Sequence, residues 1–326
     1  MPILTQHTSK PHGFKVEEPL ILECGKTFRD LRIHYTTAGE LNADKSNVIW
    51  VFHALTANSD PIEWWPGLIG EDDLINPKDH FIICANMIGS CYGSTEPTDF
   101  DFPLITIRDM VEAHKMLKQH LGIQQIKIGI GGSMGGQQLL EWAVQEPELF
   151  ETIIPIATNA KHSAWGIAFN ETQRMAIKSA ANLADGLETA RAVAMLSYRN
   201  HETYNETQSD TEERIDQFSA SSYQRYQGAK LRRRFSPISY YYLSKAMDSH
   251  NIGIDKNGLE NTLSRLRSRA IVIGVETDIL FPLHEQKFIF DHIPNAAFYP
   301  IQSLYGHDGF LIETEKISAI LKKEIQ

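Results

Sequence analysis

A short pattern near the middle of the chain has the composition of a serine nucleophile. Residues 131–135 read Gly-Gly-Ser-Met-Gly, directly after the apolar run 126–130 and before a segment with helical spacing. At such a strand-to-helix turn the serine hydroxyl is exposed above the sheet, and the glycines leave room for a strained backbone. We therefore predict that Ser133 attacks an acyl group and that the Met134 amide holds the oxyanion. The alternative is a glycine-rich turn with a bystander serine.

A serine nucleophile requires a histidine base and a carboxylate that orients this base. Six histidines follow Ser133, and His307 is the one that lies in a compact loop between glycines, just before the last helical segment. Two acids, Glu276 and Asp278, follow the apolar run 270–275. We prefer Asp278 because it lies deeper in the loop, with room for one helix and one strand before His307.

The second oxyanion amide should come from the loop after the strand predicted over residues 48–52. Residues 53–57 occupy that place, and Leu55 is the predicted donor. His53 invites a catalytic interpretation, but it precedes the serine in the chain. We interpret it as a residue with a structural contact.

The elements that must position these residues are indicated by five strand-sized, largely apolar runs, at 48–52, 81–85, 126–130, 153–157 and 270–275. Such runs are typical of strands buried on both faces of a parallel sheet, and residues 106–121 have the spacing of an amphipathic helix. The alternation predicts an α/β fold with a mostly parallel sheet and helices on both faces. Residues 161–250 lack strand-like runs. We predict that they form a helical lid inserted into a core of residues 1–160 and 251–326.

Charge, cysteine content and the length of the apolar runs exclude several classes of protein. The 326 residues include 31 basic and 41 acidic side chains, a net charge of −10 that argues against nucleic acid as a partner. Cys24, Cys84 and Cys91 are too few and too scattered for a disulfide framework, and we expect neither a metal nor a permanently bound cofactor. The first 14 residues contain no apolar signal segment and no apolar run reaches the length of a membrane span, so we expect a cytoplasmic protein.

Over nearly its whole length the chain resembles the homoserine O-acetyltransferase family, an acyl-CoA-dependent branch of the α/β-hydrolase fold. The matching motifs are residues 53–56, Asn86, 89–95, 102–103, 105–110, 131–136, 140–142, 226–228, Lys230, Arg234, Phe235, 246–248 and 306–310. Taken together these motifs are far more specific than the serine pattern alone. The segment 96–103 is shorter than is usual in the family. One part of the lid is also shorter than in the family.

The resemblance implies a function and a set of roles. Ser133, Asp278 and His307 would form the catalytic triad, matching the choice made from the residues. Arg191 would bind the carboxylate of an amino-acid acceptor, with Tyr198 beside it, and Asp308 would bind the acceptor's ammonium group. The alternatives are an exposed helix residue for Arg191 and a helix cap for Asp308.

By the same resemblance the reaction would move an acetyl group from acetyl-CoA, the co-substrate, to L-homoserine in methionine biosynthesis, and the protein would be a homodimer. Other readings are an acyltransferase of the same family that uses succinyl-CoA or serine, and a short-chain esterase with a site open to water. A non-catalytic binding protein is disfavoured because no triad member is missing. The basic segment 230–234 could contact CoA phosphates or form a solvated helix face.

Overall fold

The computed structural model describes residues 9–254 and 257–325. Its main sheet has eight strands, in the order β1-β4-β6-β5-β7-β8-β9-β10, and β2 and β3 form a separate pair. The strands are β1 (Lys10–Lys15), β2 (Leu20–Ile21), β3 (Thr27–Phe28), β4 (Arg32–Ala38), β5 (Val48–Phe52), β6 (Phe81–Ala85), β7 (Ile126–Gly132), β8 (Phe150–Ile156), β9 (Arg269–Val275) and β10 (Ala296–Ile301).

From β6 to β10 all neighbouring strands are parallel, whereas β1 and β4 add an antiparallel edge. The central strands are buried on both faces because their residues alternate between two apolar clusters. In β5, Trp50 belongs to the cluster that contains helix residues such as Trp142, and Val51 belongs to the cluster that contains Leu321. The predicted mostly parallel α/β sheet with helices on both faces is thus confirmed.

The helices are α1 (Pro61–Trp64), α2 (Ile107–His120), α3 (Met134–Gln145), α4 (Ala164–Ser179), α5 (Leu183–Tyr198), α6 (His201–Gln208), α7 (Ser219–Arg232), α8 (Pro237–Asp248), α9 (Leu259–Leu263), α10 (Leu283–His292), α11 (Gly309–Ile312) and α12 (Thr314–Glu324). Local sequence explains several helix starts. Thr106 and Asp109 form a capping box at α2, and Ser163 caps α4 with its side chain. Within the described residues, no helix is long and apolar enough to cross a membrane.

Helices α4 to α8 all lie within residues 161–250, the segment predicted to be an inserted lid. The chain leaves and rejoins the sheet region at one place, where Lys161 pairs with Asn251 in an isolated antiparallel bridge. The amide of His162 donates to His250 (2.9 Å) on one side of this bridge. This neck supports the division into a core of residues 1–160 and 251–326 and a lid, which stays a prediction. Residues 1–8, part of the segment in which no signal was found, lie outside the described residues.

Candidate active site

Ser133 lies at the turn between β7 and α3, in a conformation that few residues adopt. Its φ is 55° and its ψ is −126°. The turn is tight: a Cβ placed on Gly131 would lie 2.6 Å from the backbone of Gly135, and one placed on Gly135 would lie 2.1 Å from the Phe52 carbonyl oxygen. These contacts explain why glycine stands on both sides of the serine. The geometry is that of a nucleophile elbow.

Ser133, His307 and Asp278 form a continuous line of hydrogen bonds. Ser133 Oγ lies 2.9 Å from His307 Nε2, and His307 Nδ1 lies 2.6 Å from Asp278 Oδ2. The carboxylate is fixed by the amides of Leu280 (2.8 Å) and Phe281 (2.9 Å), which both donate to Oδ1. Because Nδ1 faces a carboxylate, it carries the proton, which leaves Nε2 free to accept the serine proton.

The His307 ring is held by aromatic neighbours. The ring of Phe281 stacks on it at 5.0 Å, and the rings of Phe310 and Tyr198 lie 5.2 and 5.7 Å away. Phe310 also packs directly over Gly132, next to the serine. The side chains of His307 and Asp278 are almost fully buried. The imidazole therefore has little freedom to leave Ser133.

The two residues predicted to supply oxyanion amides lie beside Ser133. Leu55 lines the same cavity as Ser133, and Met134 is the first residue of α3. Within the described part of the chain, neither backbone amide donates a hydrogen bond to another group. Both N–H groups therefore remain available to a ligand oxygen.

His53 has the structural contacts that the sequence suggested. The amide of Met87 donates to His53 Nε2 (3.4 Å), so the proton is on Nδ1, which donates to the carbonyl of Ala54 (2.9 Å). Burial lowers the pKa of His53 to about 4, so it stays neutral near pH 7. Ala54 O and Leu55 N belong to one planar peptide unit, and the histidine thus fixes the direction of the Leu55 N–H.

A cavity of about 430 Å³ opens above Ser133. It brings together six of the predicted site residues: Leu55, Ser133, Arg191, Tyr198, His307 and Asp308. Among the unpredicted residues, Glu63, Trp64 and Tyr92 also line it. The core supplies the serine and histidine, and α5 of the helical segment supplies the arginine and one tyrosine.

The predicted acceptor residues surround one side of this cavity. The Arg191 guanidinium lies 5.0 Å from the centre of the Tyr198 ring, and Arg191 is half-buried instead of exposed. Asp308 precedes α11, but its side chain makes no capping hydrogen bond. It forms an ion pair with Arg199 instead, at 3.0 Å between Nε and Oδ2. Burial raises the pKa of the Asp308 carboxyl, an effect that Arg199 and Arg191 oppose.

The basic segment 230–234 divides into two environments. Arg232 is exposed and pairs with Glu188 at 3.0 Å. Arg234 reaches the cavity mouth, where it donates to the carbonyl of Thr56 (2.6 Å) and the hydroxyl of Tyr92 (2.7 Å). Only Arg234 of this segment lines the cavity. Among the described residues, no group of three or more His, Cys, Asp or Glu side chains could hold a metal ion.

The elbow, the line of three hydrogen bonding side chains and the mostly parallel sheet define an enzyme of the α/β-hydrolase class. The protein-family model of the alpha/beta hydrolase fold matches residues 47–314 of the chain. Over 327 residues the chain is 50% identical to the homoserine O-acetyltransferase of Cyclobacterium marinum, with 95% of this chain and 93% of that protein covered. The chain belongs to the homoserine O-acetyltransferase family.

Solved structures agree with this assignment. The crystal structure of homoserine O-acetyltransferase from Staphylococcus aureus matches with a TM-score of 0.86 at 28% identity, covering 98% of this chain and 95% of that one. Esterase E22 matches with a TM-score of 0.89 at 19% identity, covering 98% of this chain and 100% of that one. At that identity the second likeness concerns the fold alone.

The site also contains residues that the sequence reasoning did not single out. Arg199 contacts Asp308, and Phe281 stacks on the histidine. Arg199 directly follows Tyr198, so an arginine adjacent to the predicted acceptor residues was a usable signal. Phe281 follows Asp278 in the same loop, but nothing in its spacing distinguishes a stacking residue from an ordinary core residue.

Proposed function

We propose that the protein transfers an acetyl group from acetyl-CoA to the hydroxyl of L-homoserine through an ester on Ser133. The observation that carries this proposal is the shared cavity, in which a nucleophilic serine faces charged groups suited to an amino acid. Membership of the family supports the choice of donor and acceptor.

In the first half-reaction Ser133 Oγ attacks the thioester carbonyl while His307 Nε2 takes its proton. Asp278 stabilises the imidazolium that forms, and the amides of Leu55 and Met134 hold the negative oxygen. Collapse of the tetrahedral species breaks the carbon–sulfur bond. The proton on His307 goes to the leaving sulfur, so the thiol of CoA departs and acetyl-Ser133 remains.

In the second half-reaction the acceptor hydroxyl attacks the ester, and His307 takes the hydroxyl proton. Collapse returns that proton to Ser133 Oγ and releases O-acetylhomoserine. We propose that Arg191 binds the acceptor's carboxylate and that Asp308 binds its ammonium group. Tyr198 would form the cavity wall between Arg191 and Asp308. These contacts raise the local concentration of the alcohol above that of competing water.

We propose that the acyl-CoA donor binds at the mouth of the cavity. Arg234 carries the one positive charge of the 230–234 segment that lines the cavity in the described residues. A guanidinium there suits an anionic group of an acyl-CoA. Arg232 already pairs with carboxylates at the surface, and we assign it no role in binding.

The test is thiol release from acetyl-CoA with and without L-homoserine, with Ser133→Ala as control. We expect release that depends on homoserine and disappears in the variant. Equal release without acceptor would indicate an esterase instead. Replacing acetyl-CoA by propionyl- or succinyl-CoA, and homoserine by serine, then ranks the alternative donors and acceptors.

We further propose a homodimer that forms through the helical segment. Six large apolar side chains are exposed there: Trp165, Met175, Leu196, Ile215, Phe218 and Tyr226. Large contiguous apolar patches mark protein interfaces, and we propose that these side chains contribute to one. Sedimentation should give twice the mass of 36.9 kDa, and Leu196→Glu should shift the protein toward the monomer. A monomeric wild type would contradict the proposal.

A further inference from the structure

Arg199 is the residue just beyond α5, and its side chain lies against the loop that carries His307. Its Nε lies 3.0 Å from Asp308 Oδ2, and both side chains are largely buried, with 17% and 15% of their surface exposed. The contact is an ion pair without hydrogen-bond geometry, since Nε has no hydrogen-bond partner among the described residues. On its other side, the guanidinium carbon lies 5.1 Å from the centre of the Tyr305 ring. Arg199 therefore spans from the end of one helix to both ends of the histidine loop.

The backbone leaves little slack in this contact. Gly306 has a φ of 59°, and a Cβ there would lie 3.0 Å from the carbonyl carbon of Arg199. The hydroxyl of Thr203 donates to the carbonyl of Leu304 next to this point. The end of α5 and the loop 304–308 thus pack as a unit, so the arginine reaches Asp308 from a fixed base.

The two arginines near Asp308 have different positions. Arg191 lines the cavity together with Asp308, whereas Arg199 is absent from the cavity wall. Arg199 contacts Oδ2, and Oδ1 is not part of that ion pair. Arg191 is thus placed to contact a ligand, and Arg199 is placed behind Asp308.

We propose that Arg199 is a positioning residue that fixes the Asp308 carboxylate for the ammonium group of the acceptor and leaves Arg191 to the acceptor's carboxylate. The inference rests on the proposed function and extends it to the means by which the acceptor is recognised. Arg199 helps to keep the buried Asp308 carboxylate ionised from outside the cavity, and Arg191, which lines the cavity, stays available to the acceptor's carboxylate.

Charged and titratable groups from several elements surround Asp308. They are Arg191 of α5, Arg199 just after α5, the catalytic residues His307 and Asp278, and the hydroxyls of Tyr198 and Tyr204. Burial raises the Asp308 pKa, and Arg199 is the largest influence that lowers it. Removing Arg199 therefore raises this pKa further, and the carboxylate needed for an ammonium group is lost at a higher pH.

The experiment compares Arg199→Met and Arg199→Lys with wild type in both half-reactions. Acylation is followed as the burst of p-nitrophenol from p-nitrophenyl acetate, and acceptor use as kcat/KM for L-homoserine between pH 5.5 and 8.5. The control is Arg214→Met, which removes an arginine paired with Asp210 at 3.1 Å, outside the cavity wall.

We expect Arg199→Met to lower kcat/KM for homoserine by at least about tenfold, mainly through KM, because a buried carboxylate loses its ion-pair partner. The acidic limb of the pH profile should move to higher pH. The burst should change little, Arg199→Lys should recover part of the loss, and Arg214→Met should match wild type.

Three outcomes would overturn the inference. One is a kcat/KM for homoserine in Arg199→Met close to that of wild type; another is an equal loss in the burst and the acceptor step, which would indicate a general structural role. In both, wild type still responds to homoserine, so the proposed function survives. In the third, wild-type thiol release does not respond to homoserine, and the proposed function fails together with the inference.

Discussion

The relay from Ser133 to Asp278 makes the choice of acid testable at the level of single residues. Asp278 Oδ2 contacts His307, whereas Glu276, the other acid of the loop, is exposed. Asp278→Asn should lower the rate of thiol release by about 10⁴-fold, because the amide favours the wrong histidine tautomer. Glu276→Gln is the matched control and should retain nearly full activity. A large loss in the control and none in Asp278→Asn would reverse the assignment.

His53 allows a second prediction at this scale. Its Nδ1–H fixes the Ala54 carbonyl and with it the Leu55 amide. His53→Ala should slow the acylation burst by about tenfold or more, since losing an oxyanion donor outright costs about 10²–10³-fold in rate. His53→Asn should be affected less, because its side chain can still donate to Ala54.

The pH dependence checks the mechanism of this effect. Burial lowers the pKa of His53 to about 4, so its protonation does not change between pH 6 and 8. The deficit of His53→Ala should therefore be constant over that range. A deficit that grows or shrinks with pH would indicate that His53 titrates during the reaction.

The sequence indicated which side chains would meet because strand order brings the ends of β7 and β9 and the loop before the last helices to one edge of the sheet. The position of Arg199 beside Tyr198 in the chain was a signal, but its contact with Asp308 was not predictable because it depends on how α5 ends against the loop 304–308. That packing arises between segments distant in the chain and leaves no periodic signal. The roles of the site residues stay predictions.

At the level of elements, the turn between β7 and α3 depends on the absence of side chains. Gly135→Ala would place a Cβ 2.1 Å from the Phe52 carbonyl oxygen, so the helix or strand must move. We expect a loss of about 3 kcal/mol or more in the free energy of unfolding, measured by urea denaturation. Gly13→Ala is the control, because its Cβ would have no neighbour within 4 Å. Equal effects of both changes would contradict this account.

The central strands were predictable and the edge strands were not, for a physical reason. β5 and β6 match the runs 48–52 and 81–85, since burial on both faces demands unbroken apolar residues. β1 and β10 lie at the sheet edges, are partly exposed and contain prolines. Edge strands tolerate such residues, so their sequences resemble loops.

At the level of the whole molecule, four buried histidines link stability to pH. Burial lowers the pKa of His53 and His114 to about 4, and that of His162 and His250 to about 3. In the unfolded chain each would titrate near pH 6.5. The unfolded state thus binds more protons below that value, and stability must fall as the pH falls.

Urea unfolding between pH 7 and 5.5 measures this linkage. Each histidine adds up to about 1.4 kcal/mol per pH unit to the slope. His114→Phe should reduce this slope by about the contribution of one histidine. A stability that is flat over this range would show that these histidines take up protons in the folded state.

The neck between Lys161 and Asn251 lies between two groups of proposed site residues. The residues proposed to form and break the ester, Ser133, Asp278 and His307, all lie outside the loop that this neck closes. Two of the three groups proposed to recognise the amino acid, Arg191 and Tyr198, lie inside it. We expect that exchanging the enclosed helices as a unit would give the proposed acyl-enzyme a new recipient and leave the residues beneath it unchanged.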